Sequence, residues 1–216
     1  MDLYFNEGFK FISTDEGRIE SNVLILNALA PPQGLEKLYL VNYLGRTMSP
    51  SWLASLTNLK ELNLKTAKML KSLPPLGKIP CLESLTIEHA CSLEKVGVEF
   101  LGTESGNTKE DIKIFPSLKY LEFCNMWAWE EWIGGTRGGG KKDEDCITIM
   151  PCLQKLKICN CRKLKSLPDF LRTTPLKVLR IDYCPIIKKR CQRETGEDWH
   201  NISHIPIIKL ADVPKR

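Results

Sequence analysis

The stretch that decides the fold is residues 176–184, LKVLRIDYC, in which apolar side chains occupy the first, fourth and sixth positions. The same LxxLxL spacing occurs five more times upstream. The apolar triplets are Leu35/Leu38/Leu40, Leu59/Leu62/Leu64, Leu82/Leu85/Ile87, Leu118/Leu121/Phe123, Leu153/Leu156/Ile158 and Leu176/Leu179/Ile181. One such triplet is common in any leucine-rich chain, but six at the same spacing indicate a stack of similar units.

The distances between the units indicate the kind of repeat. The first leucines of successive copies are 24, 23, 36, 35 and 23 residues apart. Three of these intervals lie within the roughly 20 to 29 residues of a leucine-rich repeat, and the two longer ones require insertions. We predict the insertions as polar, glycine-containing loops near residues 102–113 and 133–148.

The repeat unit predicts the architecture. Its central residues are expected to form a short strand with leucines pointing into the core, and the strands are expected to pair in parallel. Prolines between the strands exclude long helices. The sequence therefore predicts an α/β fold, a leucine-rich-repeat solenoid (horseshoe) with a concave parallel β-sheet and an irregular convex side. Side chains expected to bond turn backbone after the strands are Asn42, Cys91, Asn125, Cys161 and Cys184.

Three regions are expected along the chain. Residues 1–20, with Leu3 and Phe5 alternating like a strand end, are interpreted as the remnant of a preceding repeat. Residues 21–184 hold the repeats, beginning with a short helix from Ser21 that ends at Pro31 and Pro32. Residues 185–216 are interpreted as a C-terminal cap and tail that cover the last repeat.

Side-chain alternation nominates the binding surface. Residues that lie between the core leucines of each strand point to the concave face, where the fold leaves their identity free. The candidate partner-binding residues are Tyr39, Glu61, Lys65, Glu88, Tyr120, Glu122, Lys155, Lys157, Val178, Arg180 and Asp182. The aromatic cluster Trp127, Trp129 and Trp132 is expected to pack over the convex side, with an exposed anchor for a partner as the alternative.

The charge is unevenly distributed. The formal net charge is +5, yet residues 150–216 carry 15 Lys or Arg against 6 Asp or Glu. A basic end attracts nucleic acid, anionic lipid or an acidic protein surface, and a solvated basic face is the alternative interpretation. Nucleic acid is disfavoured because no stacking aromatics are interleaved with the basic residues.

Motifs that suggest catalysis or metal binding are incomplete. Residues 135–142 approach a phosphate-binding GxxxxGK loop, but Lys142 stands where a magnesium-binding hydroxyl is needed. His200 and His204 have zinc-compatible spacing, whereas the nearest cysteines do not. No nucleophile, histidine and acid are arranged as a catalytic set. We therefore expect no enzymatic activity, no metal site and no cofactor bound by this chain.

The compartment is expected to be the cytoplasm, with the nucleus or a membrane surface as alternatives. No apolar run is long enough for a membrane span, and the start lacks the pattern of a signal peptide. Nine cysteines are an odd number, so most are expected to be free thiols. The glycosylation sequon Asn201-Ile202-Ser203 is then expected to be silent.

Longer stretches carry a family likeness. Residues 35–80, 96–102 (VGVEFLG), 115–132 (FPSLKYLEFCNMWAWEEW), 149–171 and the ending 184–210 (CPIIKKRCQRETGEDWHNISHIPIIKL) resemble plant disease-resistance proteins. The class is the intracellular nucleotide-binding, leucine-rich-repeat (NLR) immune receptors with an N-terminal coiled coil. The resemblance implies a module of innate immunity that recognises a pathogen effector or a guarded host protein and restrains a nucleotide-binding switch.

The resemblance also limits what these residues are expected to do. ADP or ATP is expected only in the nucleotide-binding domain of the class, whose phosphate-binding loop this sequence lacks. The expected partners are therefore an effector or host protein and that domain, with no nucleic acid. The alternative is a truncated structural fragment that acts only by associating with other repeat proteins.

Overall fold

The structure, a computed structural model, describes residues 1–5, 16–102, 112–134 and 147–212. The described residues form short strands joined mostly by turns. The strands are β1 Asp2–Tyr4, β2 Lys37–Val41, β3 Glu61–Lys65, β4 Ser84–Glu88, β5 Lys95–Val96, β6 Lys113–Ile114, β7 Tyr120–Cys124, β8 Glu131–Trp132, β9 Thr148–Ile149, β10 Lys155–Cys159, β11 Val178–Asp182 and β12 Ile207–Ala211.

One parallel sheet dominates the fold. Its order is β1-β2-β3-β4-β7-β10-β11-β12, and each pair is parallel with the same positions of successive repeats in register. The LxL residues of the six predicted repeat strands are buried on one face; Leu179 and Ile181, for example, are both 0% exposed. This confirms the predicted leucine-rich-repeat solenoid with a concave parallel sheet, because stacked units bury one continuous core.

The convex side is irregular, as predicted. It contains 3-10 helices at Ser51–Ser55, Leu76–Lys78 and Asp169–Thr173, and two small parallel sheets, β5-β8 and β6-β9. The α-helices are α1 Glu16–Ala28, α2 Val98–Leu101, α3 Pro185–Arg190 and α4 Trp199–Ile202. A proline directly precedes each of these three 3-10 helices, at Pro50, Pro75 and Pro168, and lacks the amide that a longer helix would need.

The first helix differs from its prediction. Helix α1 begins at Glu16, five residues before Ser21, so the predicted boundary at residue 20 falls inside it. The prediction counted apolar residues from Val23 and left out Ile19, which is buried in the first turn. Strand β1, which precedes this helix in the chain, pairs in parallel with β2. The predicted insertions mostly fall in 103–111 and 135–146, outside the described residues, as does the GxxxxGK-like stretch 135–142.

The residue that follows each repeat strand has a left-handed backbone. These residues are Asn42, Thr66, His89, Asn125, Asn160 and Tyr183, with φ between 52° and 61°. Each donates its backbone amide to a carbonyl of the next strand, as Asn42 does to Lys65 (3.0 Å). Asparagine adopts this conformation more readily than most side chains, which explains its recurrence here.

The Asn and Cys side chains that were predicted to bond turn backbone therefore occupy different positions of the repeat. Asn42 and Asn125 occupy the left-handed position, whereas Cys161 and Cys184 occupy the next one, where every repeat has a buried side chain. Cys91 lies one residue further. The two buried thiols do bond turn backbone: Cys184 Sγ donates to the carbonyl of Asp182 (3.2 Å) and Cys161 Sγ to that of Cys159 (3.3 Å).

The C-terminal segment extends the sheet. Strand β12 pairs with β11 in the register of the preceding repeats. Its apolar residues Ile205, Ile208 and Leu210 have the i, i+3, i+5 spacing of LxxLxL. This segment is thus a seventh copy of the repeat pattern, which sequence reasoning missed because isoleucine stands in the first two positions.

Candidate protein-binding surface

The concave face consists of the side chains that alternate with the core residues along the sheet. Its middle row crosses all eight strands in register and is largely polar: Asp2, Tyr39, Asn63, Thr86, Glu122, Lys157, Arg180 and Lys209. The register brings the eleven predicted residues onto this one face, although β12 adds Lys209, which the prediction did not include. The missed seventh repeat is the reason.

A polar cluster lies on the first repeats. The hydroxyl of Tyr39 donates to Oε1 of Glu61 (2.5 Å), which also accepts from Asn63 Nδ2 (3.0 Å). Lys37 Nζ lies 3.2 Å from Oε2 of the same carboxylate. The bond from Tyr39, followed by those from Lys37 and Asn63, lowers the pKa of Glu61 although burial opposes it. Glu61 is therefore an ionised acceptor whose orientation its neighbours fix.

A second cluster lies in the middle of the sheet. Tyr120 donates its hydroxyl to Oε2 of Glu122 (2.5 Å), and Lys157 Nζ lies 2.6 Å from Oε1. Burial alone would raise the pKa of Glu122, but the bonds from Lys157 and Tyr120 lower it. Burial and the bond to Glu122 raise the pKa of Tyr120 well above its usual range. Both side chains are thus held rigidly in one charge state at neutral pH.

Asp182 does not reach the surface as predicted. It is 4% exposed, and its carboxylate pairs with the Arg180 guanidinium. The exposed Arg180 side chain lies over this carboxylate at the end of β11. Asp182 therefore contributes to the surface by orienting Arg180 rather than by contacting a partner itself.

Two exposed cations lie at the C-terminal end of the face. Lys155 and Lys209 are exposed, and within the described ranges neither lies within salt-bridge distance of a carboxylate. Beside them, the partly exposed Val178 pairs with Ile207, which is 47% exposed. On the other half, Lys65 is exposed and Glu88 is partly exposed, next to His89. The face thus offers cations next to a small apolar patch.

The tryptophan cluster divides into two environments. Trp129 and Trp132 are 0% and 5% exposed and pack around Phe123, with ring centroids 4.8 Å and 5.3 Å away. Trp127 is 54% exposed and lies edge-on to His89. Packing accounts for two of the three rings, and Trp127 alone remains a candidate anchor.

Part of the basic surplus is neutralised between repeats. Glu130 pairs with Lys163 and Lys165 of the next repeat, which lowers its pKa chiefly through the bond from Lys165. Arg190 forms a two-point pair with the buried carboxylate of Asp198, at 2.8 Å and 3.1 Å. The charge asymmetry of the sequence therefore overstates the free positive charge of the folded C-terminal part.

The remaining motifs form no chemical site in the described part of the chain. There, no group of three or more His, Cys, Asp or Glu side chains is placed to hold a metal. His204 lies against the carbonyl of Thr174 (3.1 Å). The sequon residue Asn201 is 2% exposed and donates Nδ2 to Asp169 (3.2 Å), so a glycosyltransferase could not reach it in the folded chain. Among the described helices, none has the length and apolarity to cross a bilayer.

The stacked LxxLxL strands and their polar concave face define a leucine-rich-repeat protein. The family described as R13L1/DRL21 LRRs matches residues 3–90. The chain belongs to the leucine-rich-repeat part of the plant disease-resistance (NLR) proteins.

Three relatives from Arabidopsis thaliana illustrate the likeness. Putative disease resistance RPP13-like protein 1 is 32% identical over 74% of this chain and 15% of its own length. Putative disease resistance protein At3g14460 is 33% identical over 75% of the chain and 11% of its own length. Disease resistance protein RPP8 is 34% identical over 62% of the chain and 13% of its own length. The chain thus spans a small fraction of these relatives.

Proposed function

We propose that this chain is the protein-recognition module of an intracellular plant immune receptor in the defense response. Its concave face senses a pathogen effector or a guarded host protein, and it restrains the nucleotide-binding switch of such a receptor in the cytoplasm. The relatives named for disease resistance support the setting. The observation that carries the proposal is the polar row in register across the concave face.

Rigid placement of these side chains supports recognition. Glu61 and Glu122 are each fixed by several neighbours, so little side-chain entropy is lost when a partner binds. Lys155 and Lys209 remain exposed beside the apolar pair Val178 and Ile207. Charged groups around an apolar centre are typical of protein interfaces. A partner with an acidic, partly apolar surface fits this end of the face.

The test reverses charges that the fold does not use. Lys157 and Arg180 are held in ion pairs, so their reversal would also disturb the sheet. Lys155→Glu with Lys209→Glu changes only exposed charges, and the exposed Lys71→Glu, outside the main sheet, is the matched control. Immobilised chain would be incubated with extract of infected plant tissue, and the captured proteins compared by mass spectrometry.

The expected result is loss of specific partners from the double variant and their retention by the Lys71 variant, with equal melting temperatures. Equal capture by all three chains would show that this part of the concave face is not the recognition surface. For the restraint, a separately produced nucleotide-binding domain of this receptor class should exchange ADP more slowly when the chain is added. Unchanged exchange would argue against that role.

The alternative, association with other repeat proteins, has its own supporting observation. Strand β1 lies at the edge of the sheet. Three apolar side chains in this part of the chain are exposed: Tyr4 of β1 (71%) and Leu24 and Ile25 of α1 (68% and 53%). Exposed edges and apolar side chains favour self-association. Light scattering after size exclusion would detect self-association as an oligomer. The double variant Leu24→Lys with Ile25→Lys should dissociate that oligomer. A monomer at all concentrations would argue against this alternative.

A further inference from the structure

Two cysteines meet on the concave face. Cys124 ends β7, Cys159 ends β10, and the two are register partners on neighbouring parallel strands. Both alternate with buried core residues, Phe123 and Ile158, so both side chains leave the same face of the sheet. Both are free and partly exposed.

The register satisfies the spatial requirement for a disulfide. Paired residues on neighbouring strands lie about 4.8 Å apart between Cα atoms. A disulfide accommodates Cα separations of about 4.4 to 6.8 Å with side chains that point toward a common space. The Cα spacing of the pair therefore lies within the disulfide range.

We propose that Cys124 and Cys159 form a dithiol modification site that hydrogen peroxide converts to an intrachain disulfide. Peroxide first oxidises one thiol to a sulfenic acid and releases one water. The sulfur of the second thiol then attacks the sulfenic sulfur, so that the S–S bond forms while the S–O bond breaks. The hydroxyl leaves with the second thiol proton as another water. In total, two thiols lose two electrons and two protons to one peroxide.

The surroundings assign an order to the two thiols. Burial, the hydrogen bond and charge of Cys159 and the charge of Glu88 together raise the pKa of Cys124 to about 12, against the lowering effect of Lys157. A thiol that is rarely ionised reacts slowly with peroxide. Cys159 is therefore the thiol attacked first and Cys124 the resolving thiol.

A second pair provides an internal comparison. Cys161 and Cys184 are also in contact, since the amide of Cys161 donates to Cys184 Sγ (3.2 Å), but each is only 1% exposed. Because these two thiols are buried, a dissolved oxidant cannot reach them. Cys152 is exposed and lies in the turn before β10, away from the register pair. Among the described cysteines, accessibility and register therefore combine at Cys124 and Cys159 alone.

The experiment is peroxide treatment of the reduced full chain, followed by blocking of free thiols, trypsin digestion and mass spectrometry. Trypsin releases residues 120–137, in which Cys124 is the one cysteine, and residues 158–162, which hold Cys159 and Cys161. The expected product is these two peptides joined, lighter than their sum by two hydrogen atoms and separated by dithiothreitol. Cys159→Ser should abolish it, and the exposed-site control Cys152→Ser should retain it, with equal circular dichroism.

Two results would overturn the proposal. One is persistence of the joined peptides in Cys159→Ser, which would assign the bond to Cys161. The other is complete alkylation of Cys124 and Cys159 after peroxide treatment that has already oxidised Cys152. The expected bond does not depend on any partner, so its failure would leave the proposed recognition function untouched.

Discussion

The Lys157 ammonium lies 2.6 Å from Oε1 of Glu122 on the neighbouring strand, in the middle row of the concave face. The side chains are 32% and 16% exposed. Lys157→Met leaves the carboxylate partly desolvated without its cation, so we expect the free energy of unfolding to fall by about 1–2 kcal/mol. Urea unfolding measures this. Lys155 is on the same strand but exposed, so Lys155→Met should change the free energy of unfolding by less than about 0.5 kcal/mol. Equal effects of the two variants would contradict a stabilising role of the Lys157–Glu122 pair.

The same carboxylate predicts a dependence on acid. The pKa of Glu122 is lowered in the folded chain, since the bonds from Lys157 and Tyr120 outweigh burial. Its stabilising contribution is complete above the unfolded pKa of about 4.3 and is lost as pH falls through the folded value. Between about pH 5 and pH 3 the melting temperature of the wild type should fall more steeply than that of Glu122→Gln. The exposed Glu94→Gln should follow the wild type, and parallel curves for all three would refute this.

The C-terminal segment depends on one buried acid. Asp198 accepts two bonds from Arg190 and one from the amide of Leu167 (3.1 Å), and its side chain is 5% exposed. Asp198→Ala removes the buried partner of the guanidinium and leaves this amide unpaired, so we expect a loss of about 3 kcal/mol of unfolding free energy. Glu197→Gln is the control, because Glu197 pairs with the same arginine while 75% exposed. A similar loss in both variants would mean that burial is not the cause.

Gly196 is required by a close backbone approach. A Cβ at this position would lie 2.0 Å from the carbonyl oxygen of Arg190. Gly196→Ala should therefore lower the free energy of unfolding by about 1–3 kcal/mol and increase cleavage near residues 190–200 in limited proteolysis. At Gly34 a Cβ would meet nothing within 4 Å, so Gly34→Ala is the matched control. Unchanged stability in the Gly196 variant would indicate that this turn can rearrange.

The left-handed position after β3 offers a stabilising substitution. Thr66 has a φ of 58°, which is unfavourable for a β-branched residue, whereas asparagine occupies the equivalent position in three repeats. Thr66→Asn should raise the free energy of unfolding by about 0.5–1 kcal/mol, and Asn42→Thr should lower it. Thermal unfolding of both variants tests this. A gain at neither position would show that side-chain contacts, rather than backbone strain, dominate there.

The local spacing of the sequence was sufficient for the repeat architecture. Because the same LxxLxL unit recurs at a short interval, successive units stack in the same direction and share one buried face, which gives the parallel sheet. The seventh copy at Ile205, Ile208 and Leu210 obeys the same rule and could have been found by admitting isoleucine throughout. The start of α1 was harder to find, because Ile19 is the single apolar residue in a first turn that is otherwise Glu16, Gly17 and Arg18.

Surface chemistry was only partly predictable. Alternation placed eleven candidates on the concave face, but it could not distinguish the exposed Arg180 from the buried Asp182 two residues later. Likewise, the sequence could not distinguish Trp127 from Trp129, whereas in the folded chain Trp129 is buried and Trp127 is exposed. Exposure depends on what neighbouring strands contribute, and those neighbours lie 20 or more residues away in the chain.

By itself, then, the sequence determined the repeat, the core and the face on which recognition is proposed, because each follows from periodicity within one unit. The tertiary structure alone decided which charges are paired, which thiols meet and which aromatic rings are hidden. Glu122 with Lys157, and Cys124 with Cys159, are separated by 35 residues in the chain and become neighbours only through strand register. Register is a property of the stacked units together, so no single repeat encodes it.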